Sequence, residues 1–273
     1  MKKLLLVLFF VTTATQYVVS QGFYAGLNAG LAMDAFPSKV ATFYNVRNDN
    51  SKVEIQQPEF SLGGGFVTKL SLGYFFNEYI GFEAALGLNF GAKVKFHKVT
   101  MIMNTNENRD IDLYANSTRF IAYFVLKGGE SLLTPYLKIG PMMGIINQKM
   151  DEHIKIDTNI GEKQWEYSGP VSLGVSTVAG INYKMNDNIG IGLSLTFENM
   201  VYRPTHLDLV YSSVNHFRND DALSTFEKHI VFVDWSDDPY NAGPQDPDKP
   251  QQVQSQTFSH NNISLRLEFV YNF

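Results

Sequence analysis

Ser259 and His260 are adjacent in Phe258-Ser259-His260-Asn261-Asn262, and a hydroxyl beside an imidazole is raw material for nucleophilic ester cleavage. Such a pair needs a carboxylate to orient the imidazole. The acid that shares the parity of His260 on the following stretch is Glu268. In extended chain it lies about 26 Å away, far outside hydrogen-bond reach. The other histidines, His97, His153, His206, His216 and His229, fall in polar stretches without ligand spacing. The chain has no Cys, which excludes disulfides and thiolate metal sites. Asp234-Trp235-Ser236-Asp237-Asp238 offers hard oxygens that suit Ca²⁺, but it lacks the alternating spacing, the Gly and the closing Glu of a calcium loop. That cluster sits in 203–257, where nine acids face four bases, the composition of a solvated segment. Gly63-Gly64-Gly65 is not followed by Gly-Lys-Ser/Thr, so it is not a phosphate loop. No catalytic residue, metal ligand or cofactor is expected.

A different set of charges is spaced for another purpose. In Asn262 to Phe273, the residues Ile263, Leu265, Leu267, Phe269, Tyr271 and Phe273 share one strand face, and Ser264, Arg266, Glu268, Val270 and Asn272 share the other. Eleven such residues, tilted by roughly 40°, climb about 25 Å, the height of the apolar band around a transmembrane β-barrel. The same alternation recurs over about 22–33, 65–76, 80–94, 115–126, 135–146, 170–183 and 189–198. It turns Lys69, Glu83, Lys93, Arg119, Lys138, Glu198, Arg266 and Glu268 inward. Charges taken out of water are costly unless paired, so three carboxylates among five bases predict an ion-paired lumen. The many inward glycines, Gly73, Gly87, Gly144 and Gly180 among them, leave room for a narrow path as the competing reading. Pro141, inside the fifth stretch, removes a ladder donor and predicts local distortion.

The elements around these charges are organised simply. Met1-Lys2-Lys3, an apolar run from Leu4 to Val11 and a small residue at Ser20 read as a cleavable secretory leader over 1–20. The remainder, 21–273, reads as one domain, without a later apolar run long enough for a transmembrane helix. Without Lys2 and Lys3 there are 20 bases against 27 acids, which argues against nucleic acid as a partner. Connections between strands alternate short and long. The long ones fall at about 34–64, 97–114, 149–167 and 203–257, where the alternating run from His229 suggests a hairpin. Short periplasmic turns and long extracellular loops have that asymmetry. The sequence thus predicts an all-β fold, an eight-stranded antiparallel transmembrane up-and-down β-barrel in which aromatics such as Tyr74 and Phe76 form an interfacial girdle.

Thr134-Pro135-Tyr136-Leu137-Lys138-Ile139-Gly140-Pro141-Met142-Met143-Gly144 and Ala179-Gly180-Ile181-Asn182-Tyr183-Lys184-Met185-Asn186-Asp187-Asn188-Ile189-Gly190-Ile191 resemble the small outer-membrane β-barrel family that includes the OmpA transmembrane domain, OmpX, OmpW and the PorT-like barrels. The resemblance implies a fold and a Gram-negative outer membrane, with membrane lipids and the barrel-assembly machinery as partners. It also implies that the terminal aromatics Phe269, Tyr271 and Phe273 act as the assembly signal. A structural or surface-interaction role with narrow or no conductance is expected, the loops offering the contact surface to an extracellular ligand or partner. The alternatives are an OmpW-like channel for small solutes or hydrophobic compounds, with a lateral gap beside Pro141, and a lipid-modifying enzyme built on His260. A water-soluble barrel, with the faces reversed, is the reading from another class.

Overall fold

The computed structural model describes residues 22–273 apart from 40–44, 50–51, 57–58, 103–104, 129–130 and 235–245. The leader reading and most of the Asp234–Asp238 cluster lie outside the described residues. Among the described residues, a ring of pairings is formed by β1 (Phe23–Asp34), β2 (Gly65–Phe75), β3 (Ile80–Gly91), β4 (Thr105–Lys127), β5 (Leu133–Ile156), β6 (Ser172–Lys184), β7 (Ile189–Tyr202) and β8 (Asn262–Asn272). Each pairs antiparallel with the next in chain order, and β8 pairs back onto β1, so the hydrogen-bonded circuit closes on itself. Closure leaves these strands without a free edge.

The short ends of the ring are set by asparagine. Asn77 Oδ1 accepts from the N–H groups of Tyr79 and Ile80, and Asn186 Oδ1 accepts from Asn188 and Ile189. An Asx side chain imitates a backbone turn in this way, and the same device therefore ends two hairpins. Aromatic rings gather at this end, with Phe23 and Tyr74 centred 4.7 Å apart and Tyr271 and Phe273 centred 5.1 Å apart.

Orientation follows the alternation. On β8, Leu265, Leu267 and Phe269 are 57%, 65% and 46% exposed, whereas Arg266 and Glu268 are 2% and 3% exposed. Grease lies outside and charge inside, the reverse of a water-soluble barrel. Among the described residues no helix is long and apolar enough to cross a membrane.

Two of the expected loops are strands instead. Segment 97–114 forms Val94–Ile102 and the first half of β4, which pair with each other, and 149–167 forms the end of β5 and Asn159–Ser168. Above the ring the apolar side of each strand changes. On β4 the outward Phe120 and Phe124 give way to outward Asp110 and Asp112, while inward Ile111, Leu113 and Ala115 become the buried apolar set. A search for grease on the outward parity stops where the surroundings change, which is why these extensions look like loops in the sequence. His206–Val214, His229–Val233 and Gln251–Gln254 continue this upper sheet, so the long acidic segment contributes strands to it. Trp165, Tyr167, Met150, Leu207, Leu209, Phe232, Phe258 and Leu113 pack together there as an apolar cap.

Candidate functional site

The interior of the ring holds two layers of buried charge. In the layer nearer the short turns, Lys138 Nζ lies 2.7 Å from Glu83 Oε2 and 2.9 Å from Glu268 Oε1, and Lys69 Nζ lies 3.9 Å from Glu83 Oε1. Two ammonium groups thus face two carboxylates. Tyrosines complete the layer. Tyr24 donates to Glu83 at 2.8 Å, Tyr136 donates to Glu268, and Tyr123 bonds Ser176 at 2.7 Å while Lys69 lies over its ring.

Glycine makes those tyrosine positions possible. A Cβ on Gly73 would sit 2.2 Å from Tyr24 Cζ, and one on Gly180 would sit 2.4 Å from Tyr136 Cζ. Each ring therefore lies flat against a glycine of the wall and reaches a carboxylate beyond it. At these two positions the inward glycines hold aromatic rings and do not widen the lumen.

The second layer is built on Glu198. Its Oε1 accepts from Arg266 Nη2 at 2.8 Å, and its Oε2 accepts from Arg119 Nη1 and, at 3.2 Å, from Asn262. Arg119 Nε donates to Ser117 at 2.9 Å and Arg266 Nε to Ser264 at 2.8 Å. Bonds through Nε, each to a serine two residues away on the same face, fix the guanidiniums as forks aimed at one carboxylate.

Lys93 does not join either layer. Regular strand stops at Gly91, so the parity that would turn Lys93 inward is lost across Ala92. Its side chain is 48% exposed and lies 3.2 Å from Asp151 and 3.5 Å from Asp112 on the outside of the upper sheet. The Asp151 hydrogen bond holds its ammonium above the ordinary lysine range. Of the expected inward set, the structure brings together Lys69, Glu83, Lys138 and Glu268 in one layer and Arg119, Glu198 and Arg266 in the other. Phe269, Tyr271 and Phe273 all face outward, away from it.

Above the second layer, residues 258–261 continue β8 in register along β7 and are tied to 61–64 just beyond the end of β1. Leu62 N–H donates to Ser259 O at 2.8 Å, Ser61 Oγ donates to Asn261 O at 2.7 Å, and His260 N–H donates to Met200 O at 2.9 Å. Ser259 Oγ is committed to Phe36 O at 3.0 Å, and the buried His260 ring stacks edge-on against Tyr202 with no carboxylate bound to it. Nucleophile, base and acid are not assembled. Among the described residues there is no group of three or more side chains of metal-ligand type.

Pro141 was the expected point of distortion. The β5–β6 register runs straight through it, and the β4–β5 register is the same before and after the two positions where pairing lapses. No bulge forms. Outside it lies an apolar hollow of about 550 Å³ whose lining includes Leu72, Ala84, Phe120, Ala122 and Met143. Unbroken pairings from β2 through β3 to β4 run behind this hollow. It is an apolar hollow on the outer surface, lined in part by Pro141, where the small side chains of Ala84 and Ala122 stand in register.

Sequence reasoning missed Tyr136, Ser117 and Asn262 as members of the site. All lie on the inward parity, Tyr136 and Ser117 two residues from a charged side chain and Asn262 two residues from Ser264, and that spacing was the available signal. The junction beyond the end of β1 had no such signal, because residues 61–64 and 258–261 meet only in the fold.

The family model for the outer membrane protein beta-barrel domain matches residues 4–214. No curated protein matches the chain in sequence. Among solved structures, the Neisserial surface protein A (NspA) is 13% identical, with 94% of this chain and 100% of that one covered at a TM-score of 0.36. Ail, the attachment invasion locus protein of Yersinia pestis, is 11% identical, with coverages of 92% and 100% and a TM-score of 0.31. The Pseudomonas putida toluene transporter TodX is 8% identical, with coverages of 95% and 92% and a TM-score of 0.24. Such distant likenesses carry no argument about mechanism. The family match is of another kind: it runs through β1 to β7, and on that basis the chain belongs to the outer membrane protein β-barrel domain family.

Proposed function

We propose that the ring is an eight-stranded transmembrane barrel of the bacterial outer membrane that serves a structural or surface-interaction role and conducts little or nothing. The observation that supports this reading is the filled interior: two buried ion-pair layers, with an apolar cluster that includes Leu62, Leu113 and Phe258 above them. An eight-strand interior is normally just filled by side chains, and here the filling is charged, paired and fixed by tyrosine and serine hydroxyls. The apolar exterior meets lipid, and the outward Phe269, Tyr271 and Phe273 are the face offered to the assembly machinery. The upper sheet, built from the ends of β4 and β5 with the strands of 206–254, is the surface available to an extracellular partner. Planar-bilayer recording of the purified protein tests the closed reading. We expect a quiet baseline, and stable large openings of the unaltered chain would overturn it.

A further inference from the structure

The two charge layers differ in balance. The lower one sets Lys69 and Lys138 against Glu83 and Glu268, and is neutral. The upper one sets Arg119 and Arg266 against Glu198 alone. Guanidinium does not deprotonate in proteins, so the second cation cannot be relieved by losing a proton. A buried unpaired positive charge is expensive, and burial of such a group calls for a counter-charge.

The unmatched donor can be named. Among the described residues, Arg119 Nη2 is buried without a hydrogen-bond partner, although Nη1 and Nε of the same group are both engaged. Both ring nitrogens of the buried His260 also lack partners, and His260 is the inward position next to Asn262, whose amide shares Glu198 Oε2 with Arg119 Nη1. A neutral imidazole still carries one N–H in either tautomer, and that N–H is a second donor. The inward glycines are not equally crowded. At Gly87, the cross-strand partner of Arg119, an added Cβ would meet no atom nearer than 3.7 Å, whereas at Gly73, Gly144 and Gly180 it would collide with a side chain.

We propose that the upper lumen holds a small monovalent anion of halide size between Arg119 Nη2 and a ring N–H of His260, completing the charge of the Arg119–Glu198–Arg266 layer. One negative charge neutralises the layer, and the two orphaned donors supply its hydrogen bonds. The site is independent of whether the barrel conducts.

Bromide is the probe. Crystals of the full chain grown with bromide as the sole halide, measured at the bromine absorption edge, are expected to show an anomalous peak within hydrogen-bond distance of Arg119 Nη2 and His260. Ordered water there without anomalous signal overturns the proposal. In solution, the thermal midpoint at fixed ionic strength is expected to rise as bromide replaces gluconate, because an ion that binds only the folded state stabilises it. His260→Phe, which keeps a ring against Tyr202 and removes the donor, should raise the half-saturating bromide concentration about tenfold or more. A wild-type midpoint indifferent to bromide, or an identical response from the variant, overturns the assignment.

Discussion

Glu198 is the residue on which the upper lumen turns, since two arginines and Asn262 converge on its carboxylate. Glu198→Gln keeps the shape and takes from two buried guanidiniums the carboxylate they share, so we expect a loss of about 3–5 kcal/mol. Urea unfolding in lipid vesicles measures it, and a loss below about 1 kcal/mol, the range of an exposed pair, would show that the layer is open to water. His260 supplies a pH dependence. Burial pushes its imidazole down to about 3, and the nearby Arg119 pushes the same way. The unfolded chain takes up this proton near the ordinary value of 6.5, while the folded chain resists it. The stability contributed by the neutral ring is therefore complete above about 6.5 and is lost as pH falls toward about 3, by up to about 1.4 kcal/mol per unit. In halide-free gluconate buffer, His260→Phe is expected to flatten the stability–pH slope in that window by up to one proton. Parallel slopes for the two proteins would contradict the assignment.

The strands carry the record of their surroundings. On β4 and β5 the parity of side chains is constant from end to end, but the apolar side changes from outward to inward near Asn116 and Asn147, which stand opposite each other. On the proposed reading, the exterior below this pair meets hydrocarbon, which calls for apolar outward residues, and above it the exterior meets water, which calls for the grease inside. The two zones respond oppositely to an outward charge. Leu267→Arg, in the middle of β8, is expected to cost about 2–4 kcal/mol in lipid vesicles. In a water-soluble protein the same change at a side chain this exposed costs within about 0.5 kcal/mol. Unfolding of Leu267→Arg in lipid therefore separates the membrane reading from its soluble rival, and a negligible effect would favour the latter.

The whole molecule is asymmetric along its axis. One end has the short turns, two of them four residues long and capped by asparagine; the other continues β4 and β5 upward and adds the strands of 159–168, 206–214 and 229–233. If the extended end faces outward from the cell, trypsin added to intact cells should cut near Lys155 or Arg218 and spare Lys184. Mass spectrometry of released peptides reads the outcome, and cleavage at Lys184 with Lys155 protected would invert the topology. Release of peptides from the upper sheet should leave the ring itself folded, since its closing pairs, β8 with β1 and β4 with β5, include lower segments that no cut there removes.

The sequence by itself determined the strands of the ring and which way each faces. Alternation of period two is a local property, and lipid outside with ions inside leaves it legible residue by residue, as at Arg266 and Glu268. It could not extend past the point where the solvent changes, so the upper halves of β4 and β5 read as loops and Lys93 was assigned to an interior it does not reach. Only the tertiary structure decided which charges meet. Glu198 joins Arg119 and Arg266 across sequence separations of 79 and 68 residues, and Tyr136 reaches Glu268 across 132. Such pairings depend on stagger around the closed circuit, and stagger is fixed by the hydrogen-bond register between strands, which no strand encodes alone.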